Sequence, residues 1–147
     1  MRILKTLICM SLVLLSFTGE GKEAPSKDGL TAYVNEGNAQ AKKGNYSKAL
    51  AALNTAIQKN PQSARAYKIR GHVYYAMGNH TKALTDLDHV VSLVPDSANA
   101  YVDRSIVESV MGKHGLALAD IERALALKPS SPFAKEVRKE ILERAKS

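Results

Sequence analysis

Residues 67–78 read Tyr-Lys-Ile-Arg-Gly-His-Val-Tyr-Tyr-Ala-Met-Gly, and the fold of the chain can be inferred from this segment. Tyr67, Gly71 and Tyr74 occur at i, i+4 and i+7, which places them on one face of an α-helix. Gly78, which an asparagine follows, is typical of the turn that ends such a helix. The stretch therefore predicts a helix from about residue 64 to 77 that stops at a tight turn.

A second helix is predicted after this turn. Ala83, Leu87 and Val90 again share one helical face, and Pro95 cannot continue a helix, so this helix ends near residue 94. Because Gly71 has no side chain, we expect the two helix axes to approach each other there, opposite Ala83. The region is thus predicted to be one pair of antiparallel helices.

The same residue types recur at an offset of 34 residues. So many coincidences at one offset indicate three tandem copies of one unit, which bury their apolar faces by stacking. The serine of each copy is a suitable N-cap for the helix that follows it. The aligned positions are Tyr33, Tyr67 and Tyr101; Gly44, Gly78 and Gly112; Ala49, Ala83 and Ala117; Pro61, Pro95 and Pro129; Gly37, Gly71 and Ser105; Leu53, Leu87 and Ile121; and Ser63, Ser97 and Ser131.

This pattern resembles the tetratricopeptide repeat signature, with its aromatic residue, glycine, alanine and proline at the usual places. The resemblance covers residues 30 to 129, and the copies depart from the signature at Gln40, Ser105 and Glu108. The implied fold is all-α, a right-handed α-solenoid of three helix–turn–helix repeats with a capping helix. The predicted boundaries are 30–63, 64–97 and 98–131 for the repeats and 132–147 for the capping helix.

The capping helix is predicted to begin at Ser131-Pro132, a capping residue followed by proline in the first turn. Its apolar residues recur every four positions, at Phe133, Val137, Ile141 and Ala145. One apolar stripe and one charged face would let the repeat array end without exposing apolar surface.

Two charge pairs are predicted within the repeats. Arg70 and Asp86 occur together in the second repeat, and Arg104 and Asp120 take the same places in the third. The first repeat lacks both members. Because the arginine and the aspartate are present or absent together, they are expected to link the two helices of a repeat. Chance coincidence between two surface positions is the alternative.

The N-terminal segment has the plan of a secretory signal peptide. Arg2 and Lys5 precede an apolar run from Thr6 to Phe17, and small and polar residues follow. That run is shorter than the roughly 20 residues that span a bilayer. We therefore predict a signal peptide over 1–21 and a linker over 22–29, with no membrane span after cleavage; an uncleaved anchor or a buried first helix is the alternative.

Composition argues against several function classes. The net charge is +7, but Lys and Arg are interspersed with Glu and Asp without a basic block, so nucleic-acid binding is not expected. Cys9 is the only cysteine, and it lies in the apolar run. The four histidines lack the spacing of metal ligands. No cluster of nucleophile and base is visible, so we expect neither an enzyme, a metal site nor a cofactor.

A candidate binding surface follows from the resemblance, since the first helices of successive repeats line the concave side of such an array. On the second of these helices a cationic and aromatic stripe lies opposite Tyr67 and Tyr74, and an asparagine flanks it on either side. Such a stripe suits an extended peptide that carries a carboxylate. The predicted peptide-binding residues are Asn38, Arg65, Lys68, His72, Tyr75 and Asn99.

The resemblance also implies what this surface does not bind. Co-chaperones of the family hold the C-terminal carboxylate of heat-shock chaperones with two lysines, two asparagines and an arginine. The matching places hold Val34, Asn38, Ile69, Asn99 and Asp103 here. Of these five residues, only Asn38 is the one that the co-chaperones have at its place. Asp103 would repel a carboxylate, so this partner class is not expected.

Two function classes remain. The first is an exported interaction module, periplasmic in a bacterium and secreted otherwise, that binds a protein or peptide partner in its concave groove. The second is a structural subunit of an envelope complex that uses its convex face or its ends and has no groove ligand.

Export leads to a direct test. N-terminal sequencing of the native protein should find a mature chain that begins between residues 19 and 25, because the charged start and short apolar run favour cleavage there. An intact Met1 in a cytoplasmic fraction would refute the signal-peptide prediction.

Overall fold

The structure, a computed structural model, describes residues 29–146. The predicted signal peptide and all but the last residue of the predicted linker lie outside this range. The described chain contains α-helices and no strand, so the all-α prediction is confirmed. Its helices are α1 (Leu30–Lys42), α2 (Tyr46–Lys59), α3 (Ala64–Ala76), α4 (His80–Leu93), α5 (Ala98–Val110), α6 (His114–Leu127) and α7 (Pro132–Arg144).

The turns between paired helices are built on glycine. Gly44, Gly78 and Gly112 have φ of 76°, 77° and 76°, in the left-handed region that costs glycine little. The recurrence of one turn geometry at one spacing explains why these glycines align in the sequence. The predicted Gly-Asn turn after the first helix of the second repeat is confirmed.

The predicted serine caps form in two of three cases. The Ser63 hydroxyl accepts a hydrogen bond from the Ala66 amide at 3.3 Å, and the Ser131 hydroxyl accepts one from the Ala134 amide at 3.2 Å. The prediction for Ser97 was wrong, since its side chain makes no capping bond. There the Ala100 amide already donates to the backbone carbonyl of Ser97, so it is not available to the Ser97 hydroxyl.

The described residues divide into two compact units, the first ending at Gly78 and the second beginning at Asn79. In the first unit, α2 packs against both α1 and α3. Its core joins buried residues of all three helices, and none is more than 5% exposed. These are Val34, Ala49, Leu53, Ala56, Ala66, Ile69 and Val73.

The closest approach in the first unit is at Gly37. A Cβ atom there would lie 2.5 Å from the Leu53 Cγ and 3.3 Å from the Ala49 carbonyl oxygen. Leu53 is fully buried and cannot swing aside. Gly37 and Ala49 hold the places of Gly71 and Ala83 one period earlier, so a close approach of the predicted kind occurs in the first repeat. The approach at Gly71 itself stays a prediction.

The second unit is held by an arginine between three helices. Arg104 of α5 donates two hydrogen bonds to Asp120 of α6, at 2.6 and 2.8 Å. It donates a third to Asp88 of α4 at 2.9 Å. The bonds to Asp120 raise the pKa of Arg104 above its ordinary value. The predicted charge pair is therefore confirmed in the third repeat.

The arginines also connect each first helix to the second helix before it. Arg70 donates to the Asn54 side chain at 2.7 Å in the first unit. In the second unit, besides the bond from Arg104 to Asp88, Arg138 contacts Glu122 at 3.4 Å. Each partner lies 16 residues before its arginine, and the three arginines are 34 residues apart. The contact therefore recurs with the period of the repeat.

The closing helix α7 buries an apolar stripe in the second unit. Ala134, Val137 and Ile141 are buried, whereas the charged residues of the opposite face are exposed or half-buried. Ala145 was wrongly assigned to the stripe; it is exposed because α7 has ended at Arg144. Within residues 29–146, no helix combines the length and apolar character required to cross a membrane.

Two helical glycines, one at the helix contact and one in open space, test this contact. Gly37→Leu should lower the free energy of unfolding by about 3 kcal/mol, because the added atoms overlap buried Leu53. At Gly115, in α6, an added Cβ atom would meet nothing within 4 Å, so Gly115→Leu should be neutral or stabilising by up to about 1 kcal/mol. Chemical denaturation measures both. Equal stability of the two variants would refute the close approach.

Candidate peptide-binding site

A cleft opens on the first unit where α1, α3 and the start of α2 meet. It is open to solvent, and about 320 Å³ of space lies in and directly in front of it. Each of the three helices contributes to its lining. The lining residues are Asn38, Ala41, Lys42, Tyr46, Ile69, His72, Val73 and Ala76.

The cleft exists because small residues face each other near the ends of two helices. Ala41 lies in the last turn of α1 and Ala76 is the last residue of α3, so neither side chain fills the space between the backbones. Ile69 and Val73 belong to the core of the unit and form an apolar floor. Tyr46, which follows the turn at Gly44, also lines the cleft.

Polar groups border this apolar floor. Asn38 and Lys42 lie one turn apart on α1, and His72 lies on α3. Asn38 and His72 are half-buried, and Lys42 is exposed. The cleft therefore offers an apolar surface beside a permanent cation and two side chains able to form hydrogen bonds, which suits an apolar side chain next to an acidic group.

The structure places the six predicted site residues in different settings. Asn38 and His72 line the cleft, as described above. Arg65 is exposed, and its Nη2 donates to the Asn35 Oδ1 of α1 at 3.0 Å. Lys68, one turn before His72 on α3, is half-buried. Asn99 is exposed in the first turn of α5 and belongs to the second unit.

Tyr75 does not offer an open ring to a ligand. It is 9% exposed, so its predicted stacking on a peptide requires a surface that the packed ring does not present. A helix with one buried face would leave Tyr75 exposed, but α3 packs against both α1 and α2. Tyr67, on the face opposite the stripe, is equally buried at 9%.

Sequence reasoning missed the floor of the cleft. Ile69 and Val73 follow each other at i, i+4 beside His72, yet they read as ordinary core residues. Tyr46 lies on the second helix of its repeat, whereas the binding surface was predicted on the first helices. The sequence nevertheless contained a sign of the cleft: Ala41 and Ala76 are small residues near the ends of two first helices, where they leave space between the helices.

The charge of the chain is concentrated in the first unit. Residues 29–78 contain seven Lys and Arg residues and a single acidic residue, Glu36, which gives a net charge of +6. Residues 79–146 contain ten of each sign and are neutral. The expectation that cations and anions are interspersed along the whole chain was therefore wrong, because it averaged over two units of different charge.

Family comparisons agree with the repeat geometry. A model described as TPR repeat matches residues 37–78, and one described as tetratricopeptide repeat matches residues 70–132. The chain belongs to the tetratricopeptide repeat family. No curated protein matches its sequence. The seven helices within residues 29–146 accord with three tetratricopeptide repeats and a capping helix.

Solved tetratricopeptide repeat structures show the same fold. The first such domain of Spaghetti (RPAP3), bound to the HSP90 peptide SRMEEVD, aligns with a TM-score of 0.77 at 22% identity, covering 83% of this chain and 97% of that one. The Sgt2 domain from Aspergillus fumigatus aligns at 0.76 and 22% identity, covering 87% and 85%. The Arabidopsis OM64 domain aligns at 0.74 and 23%, covering 79% and 96%.

The described part of this tetratricopeptide repeat protein offers no group of three or more His, Cys, Asp or Glu side chains placed to hold a metal ion.

Two alanine substitutions on α3 distinguish core from surface. Tyr75→Ala should cost about 3 kcal/mol of unfolding free energy, because it leaves a cavity where a buried ring packs. Arg65→Ala should change it by less than about 0.5 kcal/mol, since the side chain is exposed. Urea denaturation measures both. A neutral Tyr75→Ala would return this residue to the list of ligand-contacting candidates.

Proposed function

We propose that this protein is an exported interaction module that captures an acidic peptide segment in the cleft of its first unit. The peptide places one small aliphatic side chain on the apolar floor and sets carboxylates beside Lys42 and Lys68. The proposal rests on the combination of lining and charge at this cleft. The cleft is apolar inside, Lys42 and His72 border it, and it lies in the unit of net charge +6.

The floor supports an aliphatic anchor. Ala41, Ile69, Val73 and Ala76 present methyl and methylene groups and no charge. Burying one Val- or Leu-sized side chain there contributes roughly 1.5–3 kcal/mol, which alone gives only weak binding. A useful affinity therefore needs the hydrogen bonds and charges at the border of the cleft as well.

The charge of the first unit supports an acidic partner. Six net positive charges on fifty residues attract an anionic segment from a distance and accelerate its association. At an ionic strength of about 0.15 M this attraction is screened beyond roughly 8 Å, so raising the salt concentration should slow capture.

The chaperone C-terminus is not the proposed partner, although the Spaghetti domain holds the acidic HSP90 peptide SRMEEVD. Of the five places that would hold a terminal carboxylate, Val34 and Ile69 are buried apolar side chains, and Asp103 carries the charge of the ligand and is 9% exposed. Asn38 alone keeps the required amide. We therefore expect SRMEEVD to bind weakly or not at all.

Export is part of the proposal and rests on the N-terminal sequence alone. A partner segment would then be met in the bacterial periplasm, or outside the cell. The second candidate, a structural subunit that assembles by its convex face or its ends, remains the alternative outcome of the test below.

The test begins with peptides selected from a random display library on the mature protein. Selected peptides should be enriched in Asp and Glu around one aliphatic residue. Lys42→Glu plus Lys68→Glu should weaken the best of them by at least about tenfold, since two attractive contacts become repulsive. Isothermal titration calorimetry measures the affinity, and SRMEEVD serves as the comparison peptide.

The control changes the same charge in the same unit. Lys48→Glu plus Lys59→Glu alters two exposed cations of α2, whereas Lys42 lines the cleft and Lys68 lies one turn before His72, which also lines it. The Lys48/Lys59 pair should weaken binding only a few-fold, through the lost long-range attraction. Equal losses of affinity in the two double variants would show that binding depends on net charge and not on the cleft. Normal binding by the Lys42/Lys68 pair would favour the structural-subunit function.

A further inference from the structure

An acidic side chain lies inside the second unit where the other repeats carry no charge. Glu108 of α5 is 6% exposed, and its Oε2 atom accepts no hydrogen bond within residues 29–146. The same place holds Gln40 in the first repeat and Tyr74 in the second. A buried carboxylate without a hydrogen-bond donor is costly, so this atom requires a physical explanation.

The charged groups around Glu108 come from every side. Asp120 on α6 and Asp88 on α4 are negative, while Arg104 on α5 and Lys113 in the turn before α6 are positive. Arg104 is already committed, because its Nε and Nη2 donate to Asp120 and its Nη1 donates to Asp88. On α7, Arg138 and Arg144 pair with Glu122 and Glu140 instead.

This arrangement has one arginine for three carboxylates. Asp120 and Asp88 hold the guanidinium, so an ionised Glu108 would be a third negative charge beside two others, without a donor of its own. A protonated Glu108 carries no charge and can remain packed between its neighbours. Protonation thus decides whether the interior of the second unit is electrostatically balanced.

We propose that Glu108 is a proton-dependent switch of the second unit: its neutral carboxyl allows α5 and α6 to pack closely, and loss of its proton loosens this helix pair. The first unit has no acidic residue at the corresponding place and is independent of the switch.

The electrostatics agree with this geometry. Burial, followed by the charge of Asp120, raises the pKa of Glu108 from its ordinary value of 4.5 to about 7. Above pH 4.5 the opened unit releases this proton while the packed unit keeps it. Packing is therefore favoured below pH 4.5, and this advantage falls steadily as the pH rises to about 7, where the loss is complete.

Hydrogen exchange on the full chain tests the switch. Between pH 6 and pH 8 the opening equilibrium of α5 and α6 should rise about tenfold, as the two pKa values require, once intrinsic exchange rates are corrected. Amides of α1 and α2 in the same sample serve as the internal control and should not change. Glu108→Gln should abolish the change in α5 and α6.

Two further measurements make the result decisive. Glu122→Gln removes an exposed carboxylate that contacts Arg138, and it should leave the pH dependence intact. A carboxyl-carbon NMR titration of the unaltered protein reads Glu108 directly, even if Glu108→Gln folds poorly. The switch is refuted if Glu108 titrates near 4.5, or if α5 and α6 keep their pH dependence in Glu108→Gln.

Discussion

The architecture depends on how closely two antiparallel helices approach each other. At Gly37 there is no room for even a Cβ atom, because the fully buried Leu53 fills the space opposite. Gly71 and Ser105 occupy the same place in the next two repeats and are also buried. Ser105 is the only one with a polar group, and its hydroxyl donates to the Val102 carbonyl of its own helix, so the contact surface stays apolar. Once this distance is fixed, large side chains are restricted to the flanks of each pair.

A second constraint acts between successive helix pairs. Arg70, Arg104 and Arg138 each reach a side chain 16 residues earlier, on the second helix of the preceding pair. Arg104, on α5, also binds Asp120 on α6, so it connects three consecutive helices of the second unit. The partially exposed bonds to Asn54 and Glu122 contribute little stability. Their regular spacing instead indicates a role in setting the register of neighbouring helices.

Much of the fold could be predicted from the sequence because it is encoded locally and repeated three times. The turn glycines and the two serine caps that form each follow from residue type and spacing. The candidate site was harder to predict, because a helical wheel treats one helix at a time. Tyr75 looks exposed on a wheel and is buried by neighbouring helices. Asn38 and His72 were found, since both lie on the predicted stripe. Ile69, Val73 and Tyr46 were missed, because a cleft between three helices has no pattern within any one of them.

The division of charge between the units suggests different roles for the two halves of the chain. The first unit combines net positive charge with the cleft, whereas the second is neutral and contains the buried acid Glu108. We propose that the first unit is the one that binds the partner. This claim can be tested by NMR chemical-shift mapping of the isotope-labelled protein with a nine-residue peptide of one leucine among glutamates. Shift changes should concentrate at Asn38, Lys42 and His72 and decline as salt is added. Changes centred in α5 to α7, or on the outer face of α2, would contradict the claim.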